Sequence, residues 1–152
     1  MITLELILVT KESQFADNLS ELVQEMKKTP SRTSLNLTKD LGLNNQVLLI
    51  DEDAIANQPE NNLSSLRTLF PFSLQILFVE AVQKKELQNY LGWGCNALVM
   101  KTDSIKKMKK AILLTCERGF YLNDNFKTLL NMPYEEEKVN LNIKGKQPQR
   151  MN

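Results

Sequence analysis

Val47-Leu48-Leu49-Ile50-Asp51 decides how this chain reads. Four apolar residues in an unbroken run suit a strand covered on both faces, as in a parallel sheet, and an aspartate closes the run. Upstream, Leu4 to Val9 form a second apolar strand, followed by Phe15, Leu19, Leu22 and Met26 at helical spacing. Pro30 and Ser31 end that helix, and Ser34 to Leu37 can form a further strand. Downstream, Asp53 to Asn62 is polar and reads as a loop running into a helix around Leu63, Leu66 and Leu69 that stops before Pro71.

The alternation continues with a strand at Leu74–Val79, a helix from Lys84 to Leu91, the turn Gly92-Trp93-Gly94 and a strand at Ala97–Met100. Asp103 or Ser104 caps a last long helix whose inward stripe is Ile105, Met108, Ile112 and Thr115, ended by Gly119. Strand and helix thus alternate five times, which predicts an α/β fold with a doubly wound, five-stranded parallel sheet. Its sites belong beyond the carboxyl ends of the strands. A short helix to Leu130 forms a C-terminal appendix, so residues 1–131 read as one domain and 132–152 as a flexible tail. In the tail, Val139, Leu141 and Ile143 alternate with polar residues and offer an edge strand to a partner as the other reading.

Composition narrows the function. With 152 residues, 42% of them hydrophobic, the chain can bury the core of one domain. Nineteen basic against eighteen acidic side chains leave no global field for nucleic acid or an anionic membrane. The absence of histidine, with only Cys95 and Cys116 as thiols, removes the usual zinc sets and most hydrolase triads. No membrane-length apolar stretch and no signal peptide are present, and the expected location is the cytoplasm.

Val47-Leu48-Leu49-Ile50-Asp51, followed at the right distance by Gly94-Cys95-Asn96-Ala97-Leu98-Val99-Met100-Lys101, resembles the receiver domain of two-component response regulators. Thr102-Asp103-Ser104 and the helix after it, then Glu117-Arg118-Gly119-Phe120-Tyr121, resemble the subgroup that normally precedes a helix-turn-helix output domain. The resemblance covers about residues 3 to 130 and implies the flavodoxin-like receiver topology. It implies that Asp51 matches the phosphoacceptor and Lys101 the invariant lysine. In receivers an acidic pair ending the first strand binds magnesium; here Thr10 and Lys11 stand there, and an ammonium cannot ligate a cation. Glu12, one place later, would turn away as its helix begins. Glu80 replaces the hydroxyl that meets the phosphoryl group, and Leu98 replaces the switch aromatic.

The expected arrangement is a metal-free cluster in which Lys11 and Lys101 face Asp51 and Glu80. The chain then reads as a stand-alone, non-enzymatic pseudo-receiver with no cofactor, acting by protein–protein interaction. The alternative is a receiver still phosphorylated on Asp51 by a histidine kinase, with magnesium. Lys84, Lys85, Lys106, Lys107, Lys109 and Lys110 make one face basic, a place for a protein partner: another response regulator, or a second copy in a homodimer. Few aromatics accompany these lysines, which argues against nucleic acid.

Overall fold

A computed structural model describes residues 5–27 and 46–132. The strands are β1 (Glu5–Val9), β2 (Gln46–Asp51), β3 (Ser73–Val79) and β4 (Ala97–Met100). The helices are α1 (Ser13–Lys27), α2 (Glu52–Ile55), α3 (Pro59–Leu69), α4 (Lys84–Gly92), α5 (Ile105–Arg118) and α6 (Asp124–Leu130). The strands pair in parallel in the order β1-β2-β3-β4. Among the described residues the sheet therefore has four strands, not the five expected; the fifth, Ser34–Leu37, lies outside them, as does the alternating segment Val139–Ile143.

Every residue of β3 is buried, and so are Val47 to Asp51 of β2, because helices cover both faces of the sheet. Alternate strand residues point to opposite faces, so each apolar run feeds two cores. Val47, Leu49, Ile76, Phe78 and Val99 pack with Phe15, Leu19 and Leu22 of α1 and Met108 and Ile112 of α5. Leu48, Ile50, Leu77, Val79 and Leu98 pack with Leu63 of α3, Leu87 and Tyr90 of α4 and Phe126 of α6. Phe15 and Phe78 meet edge to face with centroids 5.5 Å apart.

The segment expected to be a loop from Asp53 to Asn62 is largely helical. Asp51 caps α2, its side chain accepting the Asp53 N–H, and Pro59 begins α3, where its missing N–H is no loss. Ser104 caps α5 by accepting from the Lys107 N–H, and Gly119 closes it at φ 80°, the left-handed conformation that glycine adopts without steric penalty. Asn123 caps α6 through Phe126 N–H at 2.9 Å. None of the helices among the described residues is long and apolar enough to cross a membrane.

Candidate functional site

Three chain segments converge where the parallel strands end: Thr10–Glu12 after β1, Asp51–Asp53 at the join of β2 and α2, and Lys101 after β4. Register puts them there, since Val9 pairs with Ile50, Asp51 with Phe78 and Val79 with Met100. A backbone bond from Lys101 N–H to the Val79 carbonyl, 2.8 Å, fixes where the lysine leaves the sheet.

Asp51 has 0% exposed surface. A carboxylate so placed needs its lone pairs satisfied internally. Oδ1 accepts from Lys101 Nζ at 2.7 Å and from the Asp53 N–H at 3.0 Å. Oδ2 lies 3.2 Å from Thr10 Oγ1. That hydroxyl also accepts the Glu12 N–H at 3.0 Å and lies 3.2 Å from the Glu12 carbonyl. Its single proton is better spent on the charged acceptor, Asp51.

Lys101 bridges two acids, reaching Asp53 Oδ2 at 3.2 Å as well, and its ammonium lies 5.8 Å from the centre of the Phe15 ring. Burial by itself would lower its pKa, but hydrogen bonds and charge attraction from Asp51 and Asp53 outweigh this and raise it. The expected four-charge cluster takes another form. Lys11 and Glu80 are exposed, and neither enters an ion pair among the described residues. Asp53 supplies the second anion instead.

Glu12 does not turn away. Ligand oxygens of Glu12, Asp51 and Asp53 lie within 4.8 Å of one another. Hard carboxylate oxygens are the donor type that magnesium takes, so this set fits a divalent cation in kind. The Lys101 ammonium, against two of the three acids, is a tethered rival for the same charge. Sequence reasoning set Glu12 aside as turned away and passed over Asp53. The signal for Asp53 was Asp51-Glu52-Asp53 itself, since a capping aspartate draws the second following residue back towards its own carboxylate.

Leu98 is buried in the core that faces α4 and α6. The basic face is narrower than expected, because Lys84 is only 7% exposed and its ammonium donates to the Met132 carbonyl. Lys85, Lys106, Lys107 and Lys110 are exposed and Lys109 is half-buried. A further link leaves the site through Glu52, whose Oε2 accepts the Tyr90 hydroxyl of α4 at 2.5 Å. Burial, then the hydrogen bond to Glu52, raises the Tyr90 pKa.

Solved structures share this architecture. The RcsB response regulator of Salmonella typhimurium, from work on conformational dynamism for DNA interaction, matches with a TM-score of 0.59 at 13% identity, over 92% of this chain and 68% of that one. A structure of two RcsB dimers bound to two parallel DNAs matches with a TM-score of 0.60 at 14% identity, over 91% and 76%. The chain shares its α/β fold with part of these two response-regulator structures. At such low identity the likeness extends to the fold alone. No family model and no curated protein matches the chain.

Proposed function

We propose that this chain is a receiver-like signalling protein, not an enzyme, that works by binding other proteins and uses Asp51 as an internal ion-pair anchor instead of a phosphoryl acceptor. The observation that carries this reading is the closed environment of Asp51: no exposed surface, Lys101 and the Asp53 N–H on one oxygen, Thr10 on the other. Phosphoryl transfer needs a carboxylate oxygen free to approach phosphorus in line, with charge neutralised around it. Here three donors already engage the carboxylate, two on Oδ1 and one on Oδ2, and the neutralising charge is tethered. Lys11 and Glu80, where the receiver resemblance puts a metal-binding acid and a phosphate-binding hydroxyl, point to the same loss.

Under this reading no cofactor is required and the protein operates in the cytoplasm. Its partner is another response regulator or a second copy of itself; the dimers named for the RcsB structure support the latter. The test is incubation with acetyl phosphate and magnesium, read by intact mass, with the Asp51→Asn variant as control. An unchanged mass is expected.

One observation favours a second reading. Glu12, Asp51 and Asp53 cluster against the single ammonium of Lys101, which leaves local negative charge in excess. In that case Asp51 accepts a phosphoryl group from a phosphohistidine, forming an O–P bond as the P–N bond breaks, with Lys101 turning to the new phosphoryl oxygens. A magnesium ion held by the three acids would supply charge neutralisation.

A further inference from the structure

The chain leaves α6 at a fixed point beside the start of α4. Leu129, Leu130 and Phe126 of α6 share a core with Leu87 and Tyr90 of α4, so the two helices belong to one packed layer. Both backbone polar groups of Met132 are held: its N–H donates to the Leu129 carbonyl, and its carbonyl accepts from the Lys84 ammonium. Pro133 follows, and it neither continues a helix nor favours helical backbone in the residue before it. The exit of the chain is thereby pinned against Lys84.

Lys84 and Lys85 open α4, two cations side by side. Glu86, the one acid in the first turn of that helix, has a carboxylate oxygen engaged by the Gln83 N–H at 2.8 Å. Lys85 is exposed and, among the described residues, enters no ion pair; Glu80, exposed at the end of β3, makes none with it. The next charges along the chain have the opposite sign. Glu135-Glu136-Glu137 begins three residues after Met132, and three residues span at most about 10 Å. Even with Lys138 after it, the run keeps an excess of negative charge.

We propose that this acidic run, a segment of the chain outside the described residues, docks on the start of α4 and sets its carboxylates against Lys85. Path and charge agree: Lys84 holds the chain at Met132, and Lys85 is the adjoining residue. Tethering favours the chain's own segment over the same run of another copy, because so short a link gives an effective concentration of about millimolar order. Docked there, the run screens Lys85 on the basic face, and a partner that uses this lysine has to displace it. That consequence rests on the binding role proposed above; the docking itself does not.

The test is zero-length cross-linking of the full chain with a water-soluble carbodiimide, which condenses a carboxylate with a neighbouring amine and expels one water, read by peptide mass spectrometry. A cross-link from Lys85 to Glu135, Glu136 or Glu137 is expected. Its yield should hold on about tenfold dilution and fall about threefold or more in about 1 M salt. In Glu135→Gln/Glu136→Gln/Glu137→Gln the Lys85 amine should be acetylated about threefold faster or more, with Lys110 on α5 unchanged, since nearby carboxylates hold an amine in its ammonium form. No Lys85 cross-link, cross-links spread evenly over Lys106, Lys107 and Lys110, a yield that falls with dilution, or Lys85 reactivity indifferent to the three substitutions would each overturn the proposal. A missing cross-link overturns the docking and leaves the binding role in place, whereas a phosphoryl adduct on Asp51 overturns the anchor reading and leaves the docking in place.

Discussion

The ammonium of Lys101 lies 2.7 Å from Oδ1 of Asp51, a carboxylate with 0% exposed surface. Removing the cation leaves a buried charge with only the Asp53 N–H and the Thr10 hydroxyl as partners. Breaking a buried pair costs about 3–5 kcal/mol, and the part-exposure of Lys101 reduces this to about 2–3 kcal/mol for Lys101→Ala. In Asp51→Asn/Lys101→Met neither charge is left alone, so most of that loss should return. Urea unfolding of the wild type, both single variants and the double variant measures the coupling.

Thr10→Val tests the other oxygen of Asp51. It removes the hydroxyl bond at 3.2 Å and the acceptor for the Glu12 N–H at 3.0 Å while keeping the side chain's shape. The expected destabilisation is about 1–2 kcal/mol, read from the same urea curves.

Tyr90→Phe reports on the link from the site to α4. The hydroxyl donates to an ionised acid at 2.5 Å, and the ring packs edge to face on Trp93 with centroids 6.1 Å apart. The ring contact survives the substitution, so the loss isolates one charge-assisted hydrogen bond, about 1.5–3 kcal/mol. A thermal shift indistinguishable from zero would show that Glu52 and Tyr90 are not coupled in solution.

Alkaline pH should weaken the fold. Burial pushes the thiols of Cys95 and Cys116 up to about 12 from an ordinary 9.0. A group whose folded pKa is raised contributes stability that is complete below its unfolded pKa and lost as pH rises towards the folded one. Between about pH 9 and 12 stability should therefore fall progressively as pH rises, each thiol contributing to the loss. Lys101 and Tyr90, both also raised, add to the same trend at higher pH. Unfolding midpoints across that window, with a thiol-reactive dye showing both cysteines unreactive in the native state near neutral pH, check this.

Much of the architecture was legible because its signals are local. The run Val47–Ile50 and the stripe Phe15, Leu19, Leu22 and Met26 announce a doubly covered strand and an amphipathic helix, and both are present. The site was legible only in part. Asp51 and Lys101 sit at strand ends, and parallel register brings such ends together. Burial that depends on remote chain was not legible: Lys84 reads as a solvated helix residue until Met132, 48 residues on, arrives over it. Nor was the choice of anion, since Asp53 rather than Glu80 reaches Lys101 through a helix start that Asp51 itself nucleates.

The central claim is that Asp51 is committed to an internal ion pair. Intact mass spectrometry of the full chain after incubation with acetyl phosphate and excess magnesium tests it most directly. The account predicts a mass unchanged for wild type and for Asp51→Asn alike. A phosphoryl-sized increment on the wild type that is absent from Asp51→Asn would contradict it, and would assign Glu12 and Asp53 to a working metal site.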